Sequence, residues 1–277
     1  MTGPADQGPG RGHDVHAPAR VTFLGTGTSH GVPLIGCACA VCRSTDPHDT
    51  RLRPSIYVDV PDRARILIDT TPDLRQQALT HGITRVDAIL FTHGHADHVL
   101  GLDEVRRFNH LQGTSIPCYA NGATWATLRQ IFYYIFDGKP RLGGGVPQIE
   151  PHEIAAPLTI GGVRVTPVPL WHGEMPILGF RFGTFAYLTD CNRLADDAWA
   201  IVAGVQTLVI DALRDRPHST HFTVAEALEV IARVKPARAY MTHMTHDLGH
   251  RATNARLPAG VQLAYDGLVL DVRVDVE

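Results

Sequence analysis

The apolar positions of this chain follow two periods, and the switches between them mark its elements. Val21–Gly25, Ser55–Val60 and Arg65–Asp69 are short runs rich in β-branched and aliphatic residues, which predicts strands. The last two are joined through Pro61-Asp62-Arg63 and read as a hairpin. Pro72–His81 has helical character, with proline at its start where the missing N–H costs nothing. Asp87–Thr92 is a continuous apolar run and predicts a buried strand. In Val99–Leu111 the residues Leu100, Val105 and Phe108 recur at helical spacing. Ile116–Ala120 predicts a strand and Thr124–Phe136 a helix, followed by a Gly/Pro-rich loop or lid over Asp137–Pro147.

The second half repeats this order. Val163–Leu170, Leu178–Phe182, Phe185–Thr189 and Thr207–Asp211 predict strands. Thr223–Val234 is a strongly amphipathic helix, Ala237–Thr242 a strand, and Val261–Ala264 and Leu268–Val272 short closing strands. Antiparallel strands come first in each half, and strands alternating with helices come after. Two sheets packed face to face with helices outside satisfy that order, an α+β sandwich. No linker divides the core, so one domain spans residues 20–277. Residues 1–19 lack periodicity and read as a disordered tail, in which His13 and His16 are filler.

Composition narrows the function. The chain has 277 residues, 44% hydrophobic and 19% charged, which is ordinary for a soluble globular protein. A net charge of −3 supplies no global pull toward nucleic acid or anionic membrane. No apolar run approaches the roughly 20 residues that span a bilayer, and the N-terminus has no apolar signal core. The expected compartment is the cytoplasm. There, five cysteines with three tightly clustered read as metal ligands before disulfides.

The chemistry concentrates at residues 93–98, His-Gly-His-Ala-Asp-His, directly after the strand ending at Thr92. Three imidazoles and a carboxylate on one strand-end loop form a donor set for first-row divalent metals. Matching donors end other strands: Asp69 before the loop, and after it His172 following Pro169-Leu-Trp171, Asp190 following Ala186–Thr189, and His243 following Ala239–Thr242.

A second set is Cys37-Ala-Cys39-Ala-Val-Cys42. Three thiolates can wrap one zinc, and tetrahedral closure needs a fourth ligand. His246, from Thr242-His-Met-Thr-His246, is the candidate. Free buried cysteines or a redox pair are the alternatives. Cys118 and Cys191 read as inert.

The H-x-H-x-D-H loop together with Asp69, His172, Asp190 and His243 resembles the metallo-β-lactamase-fold hydrolases, in order from about Val21 to Asp271. The resemblance implies a four-layer αβ/βα sandwich with a dinuclear site at one edge. His93, His95 and His172 would hold one metal, Asp97, His98 and His243 the other, and Asp190 would bridge them. Asp69 reads as a carboxylate orienting loop or ligand groups from behind, with a simple turn role as its alternative. Two such ions lower the pKa of a shared water from 15.7 to about 7, and Asp97 would orient the resulting hydroxide. His221, just before the helix at Thr223, resembles the general acid of the family's phosphodiesterase branch, with helix capping as its alternative role. His218 reads as a surface or supporting residue.

Gly25-Thr-Gly-Thr28, Gly31-Val-Pro33, the cysteine loop and the T-H-x-x-H segment narrow the resemblance to the phosphodiesterase of the carbon–phosphorus lyase pathway. That implies two zinc or manganese ions in the active site, one structural zinc, a small cyclic phosphate or nucleotide-like phosphodiester as substrate, and a homodimer. The chain departs from that pattern at His30, at Phe132–Phe136 and at Gly143–Gly145, where a pocket wall would lie. Arg53 and Arg141 are candidate phosphate clamps, with solvated surface arginine as the alternative. Two other functions share parts of the pattern. A tRNA 3′-processing-type endoribonuclease would want a basic RNA-gripping arm, which is missing. A non-hydrolytic carrier or oxidase resembling the pyrroloquinoline-quinone biosynthesis protein shares the cysteine loop, but the intact histidine motif favours hydrolysis.

Overall fold

The computed structural model describes residues 15–139 and 145–277. The first half contributes β1 (Val15–Gly25), β2 (Ser55–Val60), β3 (Ala64–Ile68), β4 (Ala88–Leu90), β5 (Ile116–Ala120), β6 (Ile149–Glu153) and β7 (Leu158–Ile160). The second contributes β8 (Val163–His172), β9 (Met175–Phe182), β10 (Phe185–Leu188), β11 (Arg193–Leu194), β12 (Thr207–Asp211), β13 (Arg238–Thr242), β14 (Val261–Leu263) and β15 (Val269–Val276). The helices are α1 (Leu74–His81), α2 (Ala96–Val99), α3 (Val105–Gln112), α4 (Gly122–Ile131), α5 (Tyr133–Phe136), α6 (Ala198–Val202), α7 (Val224–Val234) and α8 (His250–Asn254). None is long and apolar enough to cross a membrane.

Pairing runs β15-β1-β2-β3-β4-β5-β6 on one side and β8-β9-β10-β12-β13-β14 on the other. The two paths meet where Val163 of β8 faces Val276 of β15. Each side passes from antiparallel pairs to parallel ones: β3-β4-β5-β6 in the first, β10-β12-β13-β14 in the second. Three apolar clusters follow. Val21, Phe23, Ile56, Phe180, Phe185 and Val209 pack between the sheets. Leu67, Ile89, Phe91, Val105 and Leu128 join the first sheet to its outer helices, and Leu208, Ile210, Ala227 and Ile231 do the same for the second. Three interlayer cores make four layers, so the fold is the α+β sandwich of the metallo-β-lactamase class. Burial shows which strands are covered twice. Every residue of β12 is buried, whereas β15 alternates exposed and buried along most of its length.

Some expectations fail for physical reasons. Residues 15–19 are not tail: β1 starts at Val15, and Val15–Ala19 pair in register with Val272–Val276. Residues 1–14 and 140–144, including His13, Arg141 and part of the expected lid, lie outside the described residues. The expected helix Thr124–Phe136 breaks at Phe132 (φ −106°, ψ 40°), whose ring is buried in the outer core. The expected helix from Val99 divides into α2, a 3-10 turn at Leu102–Glu104 and α3. Gly25 ends β1 where no other residue fits, since a Cβ there would lie 1.9 Å from the Arg53 carbonyl oxygen.

Candidate metal centre

The side chains that matter stand at the C-terminal ends of parallel strands from both sheets, where such sheets open crevices. Asp69 follows β3, His93 follows β4, Asp190 follows β10, Asp211 ends β12, and His243 follows β13. Asp69, Asp190 and His243 adopt left-handed backbone, with φ of 65°, 56° and 62°. Aspartate and histidine tolerate that region better than most residues, and each such residue stores of order 1–3 kcal/mol. The sharp turn swings each side chain off its strand and onto the crevice floor. α2 supplies Asp97 and His98, and β8 ends at His172. Gly94 lets α4 close on the histidine loop, since a Cβ there would sit 2.9 Å from Thr127.

Asp190 is the hub. Its Oδ2 lies 3.1 Å from His93 Nε2, 3.0 Å from His98 Nε2 and 3.5 Å from His243 Nε2. Its Oδ1 lies 2.9 Å from His172 Nδ1 and 3.1 Å from His221 Nδ1. Asp97 Oδ2 stands 3.4 Å from His98 Nε2 and 3.7 Å from His243 Nε2. The donor atoms gather into Asp97-His98-Asp190-His243 and His93-His95-Asp190, each tight enough for one ion. His172 borders the second set, with its ring 5.0 Å from that of His95 and 5.6 Å from that of His93, but its closest grouping is with Asp190 and His221. His95 is exposed and the rest are buried or nearly so.

Divalent ions fit this arrangement. His93 Nε2, His98 Nε2, His172 Nδ1, His243 Nε2 and Asp190 Oδ1 are all buried and have no hydrogen-bond partner among the described residues. Orphaned buried polar atoms are costly, and five of them lining one crevice call for cations. The outer groups are prepared for it. Asp69 accepts from the Thr92 amide and hydroxyl, each at 2.8 Å, and its Oδ2 is 2.7 Å from His98 Nδ1. That fixes the His98 ring with Nε2 facing inward.

Charge is polarised accordingly. Burial alone would lower His98, but Asp97, Asp69 and Asp190 around it hold its imidazole well above the usual range. Asp190 and Asp97 are also buried, yet the surrounding histidines hold both well below the usual carboxylate range. His93 is pulled down to about 4 by burial.

His221 does not cap α7. Thr223 does, in a capping box with Glu226. His221 Nδ1 instead lies 3.1 Å from Asp211 Oδ2 as well as from Asp190. Burial lowers His221 to about 4 and raises Asp211 well above its usual range. Both shifts favour the uncharged form of each partner, as burial does for any ionisable group. Asp211 is the residue that sequence reasoning missed. Thr207–Asp211 has the same apolar run and terminal carboxylate as Ala186–Asp190, which was the available signal. His218 is exposed, with its ring 4.8 Å from that of His221.

The cysteines come together as well. His246 Nδ1 lies 3.2, 3.5 and 3.4 Å from the sulfurs of Cys37, Cys39 and Cys42. A tetrahedral zinc with ordinary Zn–S and Zn–N bonds separates such donors by about 3.5 Å, so this donor set fits. The Cys42 amide donates to Cys39 Sγ and lowers that thiol to about 6, while burial raises Cys42 to about 11. Cys118 and Cys191 are buried elsewhere.

A cavity of about 310 Å³ lies between the two clusters, lined by His30, Leu34, Arg214, Arg216, His221 and His246 among others. Arg216 pairs with Asp247 at 3.0 Å. Arg214 is held by the carbonyls of Arg216 and Pro217. Arg53, one of two candidate phosphate clamps, pairs with Asp73 at 2.9 Å. A larger cavity, about 500 Å³ around Arg20, Arg65 and Arg85, contains none of the clustered donors.

This fold and edge site define a class: a beta-lactamase superfamily domain model matches residues 64–244, and the chain belongs to that superfamily. It is a hydrolase of metallo-β-lactamase fold close to the PhnP family. A diphosphatase of that family is 45% identical and superposes with a TM-score of 0.88, covering 95% of this chain and 100% of its own. An octanoyltransferase of Porphyromonas gingivalis is 36% identical over 90% of this chain, which spans only 51% of that protein. The coenzyme PQQ synthesis protein B of Rhodopseudomonas palustris is 32% identical over 69% of this chain and 72% of its own.

Proposed function

We propose that the chain is a metal-dependent phosphodiesterase acting on a small cyclic phosphate or nucleotide-like phosphoester. In this reading two divalent ions, zinc or manganese, occupy the His/Asp centre and one structural zinc the Cys/His cluster. Asp190 carries the reading. A carboxylate 2.9–3.5 Å from five imidazoles offers hard donors to two ions at once. When bound, such ions supply charge neutralisation at phosphorus and acidity to coordinated water.

The chain's own residues do the rest. Asp190 and Asp97 hold negative charge deep in the crevice, and the orphaned imidazole nitrogens line it. Asp69 keeps His98 in one orientation. Asp211 holds His221 by Nδ1, which leaves Nε2 to give a proton to the departing oxygen. Arg214, which donates to the carbonyls of Arg216 and Pro217, offers an anionic substrate positive charge beside that proton. The diphosphatase relative supports phosphorus chemistry, and the homodimer and the cytoplasmic location belong to the same reading.

A screen of metal-loaded protein against bis(p-nitrophenyl) phosphate, cyclic phosphates, diphosphates and short RNA tests it, with metal analysis in parallel. Turnover of small phosphoesters is expected. Turnover of RNA alone would favour the endoribonuclease, and no turnover of any ester by manganese- or zinc-loaded protein would sink the hydrolytic reading.

A further inference from the structure

His243 and His246 are three residues apart on one segment, yet each serves a different cluster. The segment leaves β13 at His243, whose Nε2 is 3.5 Å from Asp190, and reaches the three thiols at His246. On one side the backbone of Met244 is tied to Thr26 and Thr28 at 3.0 and 3.1 Å, and the Thr245 amide donates to Leu213 at 3.0 Å. On the other side stands Arg51. Its Nη1 donates to the Thr245 carbonyl at 2.7 Å and its Nη2 to the Leu248 carbonyl, so the guanidinium grips the segment on both sides of His246. Arg51 also bridges through its own backbone to Val32, at 2.7 and 2.8 Å, just before the cysteine loop.

Arg51 is an expensive way to fill space. It is 1% exposed, its Nε has no hydrogen-bond partner among the described residues, and the carboxylate paired with it, Asp49, is 3.5 Å away, with the negative charge of Asp266 also acting on it. Asp49 is drawn into the same arrangement, because it accepts from the His250 amide at 2.7 Å. An apolar side chain of similar size commonly stabilises such a position more than a buried charge does. What the arginine adds is a two-pronged hold on a segment that must place two imidazoles at once.

We propose that Arg51 is a positioning residue that couples the two clusters, so that an ion at Cys37-Cys39-Cys42-His246 raises the affinity of the His/Asp centre for its own ion. Filling either site orders the segment from His243 to Leu248, and the second ion then meets a smaller ordering cost. Coupling of this kind is reciprocal, and typical values run from about 5-fold to 150-fold. The inference rests on both clusters being metal sites, as the functional reading has it.

The test is a pair of titrations on the full chain, stripped of metal under reducing conditions. Manganese binding is followed by the paramagnetic resonance of the free ion, with the cysteine cluster either empty or filled by one equivalent of cadmium. Cadmium loading is read from its thiolate charge-transfer band, and the reverse titration measures cadmium with and without manganese. Manganese is expected to bind about tenfold more tightly when cadmium is present, with the same factor in reverse. In Arg51→Lys and Arg51→Met the factor should fall toward one while both sites still bind. Equal manganese affinities in the two states of the unmutated chain would overturn the coupling, as would the full factor persisting in the arginine variants. A variant that merely weakens both sites while keeping their ratio counts against Arg51 as well. Should Arg51→Met not fold, the unmutated chain and Arg51→Lys decide. No manganese binding in either state would overturn the metal-site reading along with the inference.

Discussion

The His/Asp centre and the Cys/His cluster are neighbours built in opposite ways. The cysteine cluster is local: three of its four donors lie within six residues of one loop, and all four are half-buried. The His/Asp centre draws Asp97, His98, Asp190 and His243 from three parts of the chain, all of them buried, and two of these stand on left-handed backbone. A local loop can reorganise when its ion leaves, since little else constrains it. The buried centre is held by two sheets and by Asp69, Thr92 and Asp211 around it, so most of its shape belongs to the fold and only the His243 arm is shared with the cysteine cluster. In the proposed reading the first cluster stabilises and the second reacts.

The sharpest break in that contrast is Asp190→Ala. Removing the hub should lower kcat/KM by roughly 10³-fold or more while the zinc of the cysteine cluster, measured by elemental analysis, stays bound. Loss of both sets of ions together would show that the two clusters are one folding unit. His221→Ala comes next. Metal content should be unchanged and turnover of a diester with a poor leaving group should drop about 10²–10⁴-fold, with p-nitrophenyl esters much less affected. Normal rates on an unactivated diester would remove His221 from the proton's path.

Cys39→Ser should leave a smaller mark on chemistry and a larger one on stability. One zinc per chain disappears and the melting temperature falls by several degrees, whereas unchanged zinc stoichiometry would rule out the structural site. The smallest effect is expected at Asp266, which accepts from the Thr26 hydroxyl and the Leu52 amide, both at 2.7 Å. Burial raises its carboxyl to about 7, against about 3.9 in an unfolded chain. The native state therefore keeps a proton that the unfolded state has lost, and stability falls as pH rises between those values. Asp266→Asn should gain on the unmutated chain in melting temperature from roughly pH 4 to pH 7. A difference that stays flat across that window would mean the burial of Asp266 costs nothing.

The same contrast explains what was readable in the sequence. The cysteine loop announces itself within six residues, and the need for a fourth donor points to His246. The histidine loop is equally local. Asp190 and His243 could be placed because each ends an apolar strand and a resemblance supplied their order. Asp211 looks the same in sequence, and only its contact with His221 distinguishes it. Val15–Ala19 carries no strand pattern, and its conformation is dictated by pairing with β15. Ile149–Glu153, with Pro151 in its middle, likewise becomes an edge strand only by lying beside β5. The break at Phe132 arises because its ring is wanted in the outer core, a demand set by the rest of the fold.

The left-handed turns at Asp69, Asp190 and His243 also restrict any redesign of the ion bound here. Positive φ admits glycine freely and asparagine, aspartate and histidine with modest penalty, and it resists β-branched residues. The favoured replacements with ligating atoms are thus oxygen and imidazole donors, the types that suit manganese and zinc. Main-chain torsion acts as a filter on which elements a laboratory-evolved descendant of this protein can be taught to use.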